Sequence, residues 1–176
     1  MNLIISFSGR AKGNCDSIAE FISNQDDEII YFRDKNIHAC SKCEYECFAG
    51  ECKYRGDDLY AIYDSMPRFD KVILIVPMYC GNPSSLYFTF NERCQDYFIH
   101  NEDKYDDIIS RLYIIGVYGK QESTPDFITC LEKWFECSEY ENHVLGIERH
   151  KYNQRIQDSI LDVEDVRMSL GEFLLR

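Results

Sequence analysis

The strongest constraint on the fold is a run of five apolar residues, Val72 to Val76, four of them β-branched. Successive side chains of a strand point to opposite faces of a sheet, so a strand that is apolar throughout must be buried on both faces. Burial of that kind is typical of a parallel sheet covered by helices. The run therefore predicts an α/β fold with helices on both faces of a sheet.

The rest of the chain alternates between strand-like and helix-like apolar patterns. Further strands are predicted at Leu3–Ser6, Glu28–Phe32, Leu112–Ile115 and within His143–Glu148. Helical spacing predicts the intervening helices, the first of them capped at Asn14 or Asp16, with apolar faces over Ile18–Ile22, Leu59–Met66, Leu86–Tyr97, Phe127–Phe135 and Ile156–Leu174. The polar stretch His100–Asp107 is predicted to be a solvated loop. About five βα units in succession predict one doubly wound domain over residues 1–176.

Charge and apolar content narrow the possible partners. The sequence has 31 acidic and 19 basic residues, for a net charge of −12. A field of that sign repels phosphodiester backbones and anionic lipid headgroups, so neither nucleic acid nor a membrane surface is an expected partner. No segment approaches the roughly 18 apolar residues of a membrane span, and the N-terminal residues do not resemble a signal peptide. We therefore expect a cytoplasmic protein.

The loop after the first strand has the composition of an anion site. It contains small residues that allow a tight turn, and amides at the start of a helix can point at an anion. Arg10 and Lys12 add positive charge, and the candidate ligand-binding residues are Ser8, Arg10, Gly13, Asn14, Cys15 and Ser17. The alternative is an ordinary polar turn that only connects a strand to a helix. The loop matches neither the GxGxxG fingerprint nor the GxxxxGK[ST] loop.

Several motifs in order give the chain a family resemblance. The first loop has the form Ser-x-Arg-x-x-Gly-Asn, a Pro-x-Tyr-x-Gly loop follows the third strand at Pro77, and an acidic-arginine pair stands at Glu92-Arg93. A cysteine-rich segment followed by paired aspartates, Cys40–Asp58, lies between these motifs. Over about residues 1–120 the chain resembles the NAD(P)H-dependent FMN reductase and iron–sulfur flavoprotein group of flavodoxin-like proteins. Cys15 departs from that pattern, because a hydroxyl residue is usual there.

The resemblance implies a fold, a cofactor and a site. The fold would be flavodoxin-like, a five-stranded parallel sheet of order 2-1-3-4-5. FMN would place its phosphate on the first loop, and NAD(P)H would be the electron donor for a quinone, a flavin or another small acceptor. Relatives of this kind are commonly homo-oligomers, either dimers or tetramers. The flavin ring would lie against Pro77, Met78, Tyr79, Cys80, Gly81 and Asn82, with a third contact from Gly116, Val117, Tyr118 and Gly119.

Some of these residues have an alternative interpretation. Apolar and aromatic side chains near the third-strand loop are also suited to a contact between subunits: Met78, Tyr79, Leu86 and Tyr87. Gly81, Gly116 and Gly119 are predicted to permit close approach of the backbone to the ligand.

Nine cysteines are many for a chain of this size in a reducing compartment, where disulfides are not expected. We call residues 38–56 the cysteine segment; it is predicted to be an insertion in the domain, and its candidate metal ligands are Cys40, Cys43, Cys47 and Cys52. Closely spaced thiolates can hold a [4Fe–4S] cluster or zinc, but free thiols are also consistent with this spacing, which differs by one residue from that of the iron–sulfur flavoproteins. His38 is predicted to be a surface or capping residue, with ligation as the alternative. Cys94, Cys130 and Cys137 are predicted to be core or boundary residues of helices.

Three functions are therefore compatible with the sequence. An FMN-dependent NAD(P)H oxidoreductase is favoured. The alternatives are an electron carrier that uses FMN with an iron–sulfur cluster, and a flavin-free interaction domain that binds zinc. The sequence has no Ser-His-Asp set, HExxH helix or paired-carboxylate motif, so it predicts no catalytic acid or base.

Overall fold

A central parallel sheet organises the molecule in the computed structural model, which describes residues 1–41, 43–120, 126–136, 140 and 142–175. Its strands are β1 (Asn2–Ser6), β2 (Glu28–Tyr31), β3 (Lys71–Tyr79), β4 (Asn82–Pro83), β5 (Leu112–Tyr118) and β6 (Val144–Glu148). The parallel strands have the order β2-β1-β3-β5-β6, and the short β4 pairs antiparallel with the end of β3. The prediction of a flavodoxin-like sheet of order 2-1-3-4-5 is confirmed, since β5 and β6 are its fourth and fifth parallel strands.

Helices cover both faces of this sheet. The helices in the described ranges are α1 (Asn14–Ile22), α2 (Glu46–Ala49), α3 (Asp58–Ser65), α4 (Ser85–Ile99), α5 (Tyr105–Arg111), α6 (Asp126–Glu132) and α7 (Glu164–Leu174). The short α2 has no buried residue and lies beside α4 rather than on the sheet. Val72, Leu74 and Val76 belong to one apolar core, whereas Ile73 and Ile75 belong to the core on the opposite face. All five side chains are fully buried, as the apolar run predicted. No described helix combines the length and apolar character that crossing a membrane requires.

The sequence was wrong about two stretches outside the sheet. The predicted loop His100–Asp107 instead forms a 3₁₀ turn at Glu102–Lys104 and the start of α5. The side chains of Ile108 and Ile109 are buried and anchor this helix. In the sequence, the acidic first turn and the terminal Arg111 are the features that indicate a helix here.

The predicted C-terminal helix begins later than expected. Residues 156–163 form a 3₁₀ turn at Ile160–Asp162 in place of the predicted helix, and Ile156 is 61% exposed. The Asn14 side chain accepts a hydrogen bond from the Ile160 amide (3.0 Å) and donates one to the Asp158 carbonyl (3.2 Å). These bonds hold the segment against the start of α1, and helical periodicity alone does not reveal such a tertiary contact.

Candidate functional site

A cleft of about 460 Å³ lies at the carboxyl ends of the parallel strands. It falls within the usual size range of small-molecule sites, at the edge of the sheet where α/β folds bind ligands. The predicted residues that line it are Ser8, Arg10, Gly13, Asn14, Cys15, Pro77, Met78, Tyr79, Cys80, Val117, Tyr118 and Gly119. Four predicted residues, Ser17, Gly81, Asn82 and Gly116, are not among the lining residues. Four others that were not predicted to bind the ligand are: Ala11, Lys12, Arg149 and Ile156.

Asp16 fixes the shape of the first loop. Its carboxylate is buried and accepts hydrogen bonds from the Ser6 hydroxyl and the Lys12 amide, both at 2.8 Å. The Arg33 guanidinium forms an ion pair with it at 2.9 Å and also donates to the Ser8 carbonyl at 3.3 Å. Asp16 was predicted as a candidate helix cap, but the N-cap is Gly13, with no side-chain capping bond. The carboxylate instead fixes the loop through its bonds with Ser6, Lys12 and Arg33.

The predicted polar side chains of the loop serve the protein itself. The Ser8 hydroxyl donates to the Arg10 carbonyl (2.9 Å) and accepts from the Arg10 amide (3.2 Å). The Asn14 amide group binds the segment before α7, as described above. Ser17 lies inside α1, where its backbone amide donates to the Gly13 carbonyl. The hydrogen-bonding groups of the Ser8 and Asn14 side chains are therefore engaged within the protein, and ligand binding by Asn14 and Ser17 stays a prediction.

Backbone amides at the start of α1 remain available. In the described part of the chain, no protein acceptor pairs with the amides of Gly13, Asn14 and Cys15. They belong to the first turn of a helix, whose N–H groups have no intrahelical partner and attract anions. The Cys15 thiol packs into the core, where burial and the neighbouring Asp16 raise its pKa to about 12. Cys15 therefore offers the cleft its backbone amide and no thiolate.

The cleft is positively charged in a negatively charged molecule. Arg10, Lys12 and Arg149 line it, and its lining within the described ranges contains no aspartate or glutamate. Outside the lining, burial and the neighbouring Glu148 raise the pKa of Tyr118, and the buried Asp16 is paired with Arg33. This local reversal of sign selects for an anionic ligand.

A tight hairpin presents the aromatic side of the cleft. Cys80 and Gly81 have φ values of 50° and 84° between the paired strands β3 and β4, the positive pair that a type I′ turn requires. Gly81 therefore serves the turn. The ring of Tyr79 lies 5.9 Å from the Arg10 guanidinium carbon, and Cys80 is exposed beside it.

The prediction that Gly116 of β5 allows close approach of a ligand was wrong. A β-carbon on Gly116 would lie 2.8–2.9 Å from side-chain atoms of Phe127, Ile128 and Leu131. The glycine therefore allows α6 to pack on the sheet and was wrongly assigned to approach of a ligand. Gly119 does lie at the cleft, together with the buried Tyr118.

The cysteine segment forms a separate cavity of about 230 Å³, which Cys40, Cys43, Cys47 and Cys52 all line. Among the residues described, no three histidine, cysteine, aspartate or glutamate side chains are grouped as a metal site requires. Burial and a hydrogen bond with Asp96 raise the pKa of Cys52 to about 11.

Polar side chains of α4 attach this segment to the domain. Glu92 accepts the Cys40 amide at 2.8 Å. The buried Arg93 forms an ion pair with Asp57 at 2.9 Å and donates to the His38 carbonyl at 2.9 Å. The Glu92-Arg93 pair that supported the family resemblance is therefore an anchor of the cysteine segment.

Other predicted positions have mixed outcomes. Tyr87 is fully buried and accepts a hydrogen bond from the Trp134 indole at 2.8 Å, so it is not available for a subunit contact. The His38 side chain is half exposed and stacks on Tyr54, as expected of a surface residue. Burial raises the pKa of Cys94 to about 12, which fits a core thiol. Cys137 lies outside the described residues.

Comparison with known proteins gives structural likeness without sequence matches. No family model and no curated protein matches this chain. The Trp repressor binding protein from Bacillus subtilis has a TM-score of 0.68 and 18% identity, covering 99% of this chain and 97% of that one. An FMN-dependent NADH-azoreductase from Bacillus anthracis, solved in complex with FMN, has a TM-score of 0.61 and 13% identity, and the match covers 97% of this chain and 98% of that one. The apo form of an NADH:FMN oxidoreductase has a TM-score of 0.50 and 13% identity, and the match covers 98% of this chain and 85% of that one. At these identities the likeness establishes a shared fold.

Proposed function

We propose that this chain is an FMN-binding oxidoreductase that takes electrons from NAD(P)H and passes them to a small acceptor. The observation that carries the proposal is the cleft, where free helix amides and the cations Arg10 and Lys12 stand without any acidic lining residue in the described chain. A mononucleotide with a flat apolar ring has the matching chemistry. Flavin-dependent enzymes among the proteins of shared fold, one in complex with FMN, add support.

Each part of the cleft has a role in this proposal. The amides of Gly13, Asn14 and Cys15 would hold the FMN phosphate, with Arg10 and Lys12 supplying charge. Tyr79 and Tyr118 would border the ring and limit the access of water to it. The Ser8 hydroxyl and the Asp16 carboxylate act through the loop, because they bond its backbone. FMN, when bound, supplies the hydride chemistry, and we assign no acid or base to the protein.

A visible spectrum of anaerobically purified protein, before and after addition of FMN, tests this proposal. We expect flavin bands that comigrate with the protein, and FMN-dependent oxidation of NADH or NADPH. Protein that stays colourless and rejects FMN would overturn it. Size-exclusion chromatography would separately test the predicted homo-oligomer.

The alternatives rest on the cysteine segment. Its four cysteines share one cavity, which is the observation in favour of an iron–sulfur electron carrier or a zinc-binding domain. Their present arrangement is not that of a ligand set within the described residues, so we rank both below the FMN reductase. Iron with acid-labile sulfide in anaerobic protein would select the carrier. Zinc in protein that does not bind FMN would select the interaction domain.

A further inference from the structure

Arg149 is a cation of the cleft to which the proposed binding mode of FMN assigns no contact. It directly follows β6, is half-buried and lines the cleft. None of the ion pairs found among the described residues includes it. A partly desolvated guanidinium is stabilised by an anion, and here the protein supplies no partner within the described ranges.

The side chains of Arg149 and His150 lie beside Gly119. A β-carbon at this glycine would lie 3.8 Å from a terminal nitrogen of the Arg149 guanidinium and 3.9 Å from the His150 ring. Both basic side chains therefore lie against the backbone that follows β5. The strands β1 and β6 are three spacings apart in the sheet, roughly 14 Å. A phosphate on the α1 amides consequently leaves the β6 side of the cleft for a second anion.

We infer that Arg149, with His150 beside it, binds a phosphate group of the nicotinamide dinucleotide and thereby contributes to recognition of the electron donor. This inference rests on the proposed flavin function. Quinone and azo acceptors need carry no phosphate, whereas the dinucleotide always carries a pyrophosphate, and NADPH adds a 2′-phosphate. The planar guanidinium matches phosphate oxygens in a bidentate manner, which a lysine cannot reproduce.

The test is Arg149→Gln in the FMN-loaded protein. Loss of a charged hydrogen-bond donor should raise KM for the donor about 10- to 100-fold. The affinity for NADP⁺ and NAD⁺, measured by calorimetry, should fall by a similar factor, while the Kd for FMN should change less than about twofold. An effect on both dinucleotides identifies the pyrophosphate, and an effect on NADP⁺ and NADPH alone identifies the 2′-phosphate. Either outcome supports the inference.

Matched variants separate binding from general electrostatics. Lys151→Gln removes the same charge close by in sequence from a residue that does not line the cleft, and it should leave donor binding unchanged. Arg149→Lys should restore part of the affinity, because it keeps the charge and loses the planar fork.

Three outcomes would overturn the inference in distinguishable ways. Unchanged dinucleotide affinity in Arg149→Gln, with FMN still bound, would reject the donor site and leave the flavin function standing. A loss of FMN affinity as large as the loss of donor affinity would assign Arg149 to the flavin. Wild-type protein that fails to bind FMN would remove both proposals together.

Discussion

The cleft and the cysteine segment are held in place by different kinds of interaction. Cleft residues follow strands whose side chains, such as Ile5, Val76 and Ile115, are fully buried. The cysteine segment has its own short helix, α2, with no buried residue. Hydrogen bonds with Glu92, Arg93 and Asp96 of α4 and with His100 connect it to the domain.

This contrast shows what hydrophobic periodicity can and cannot position. A buried strand places the residue that follows it at a known edge of the sheet, so the cleft was predictable. A segment attached by polar side chains has no periodic signal for its position. We therefore expect the two regions to respond differently to substitution and to ligand.

The largest expected effect is on the anchor of the cysteine segment. Arg93→Met leaves the buried carboxylates of Asp57 and Asp96 without their cation, which should lower the free energy of unfolding by about 3–5 kcal/mol. Urea denaturation measures this change. Arg55→Met, which removes the exposed ion pair with Glu51, is the control and should cost about 0–1 kcal/mol. Equal effects of the two substitutions would show that Arg93 is no anchor.

The next effect concerns the reactivity of Cys52. Its pKa, raised to about 11, keeps the thiol protonated at neutral pH, and only the thiolate is alkylated. Alkylation should be roughly 100-fold slower at pH 8 than for a thiol of pKa 9, and should rise about tenfold per pH unit up to pH 11. Asp96→Asn should accelerate it by removing a neighbouring carboxylate. Cys52 modified as fast as a free thiol, or protected until a chelator is added, would contradict the free, protonated thiol described here.

A smaller effect is expected where α6 packs on the sheet. Gly116→Ala would force a β-carbon against Phe127, Ile128 and Leu131 and should cost about 1–3 kcal/mol of unfolding free energy. Gly171→Ala in α7 meets no atom within 4 Å and should stabilise the protein by up to about 1 kcal/mol. Thermal denaturation of the pair checks both signs. If Gly116→Ala left the free energy of unfolding unchanged, the packing role would be rejected and the earlier prediction of close approach to a ligand would stand.

The smallest effect compares the two regions directly. Cys80 is exposed in the cleft and Cys40 is exposed in the cysteine segment. Bound FMN should slow alkylation of Cys80 several-fold by covering it, and should leave Cys40 unaffected. Peptide mass spectrometry after a timed reaction measures both sites in one sample. Protection of Cys40 alone would place the ligand in the wrong cavity for our account.

The sequence was informative about which residues meet at the cleft and less so about how they act. The ends of β1, β3 and β5 brought most predicted residues together, because parallel strands share one carboxyl edge. Asp16 was misjudged because a buried carboxylate that binds a loop looks like a cap in the sequence. Arg149 was missed, although it follows the fifth parallel strand, because no motif marks it. The predicted helix from Ile156 was wrong because nothing in the sequence indicates the hydrogen bonds that Asn14 makes with Asp158 and Ile160.

The central claim is that the start of α1 recognises a phosphate. Fluorescence titration with FMN and with riboflavin, which lacks the phosphate, tests it most directly. We predict that FMN binds at least about 100-fold more tightly, since the phosphate engages several amides and two cations. Equal affinity for the two flavins, or no binding of either, would contradict the account.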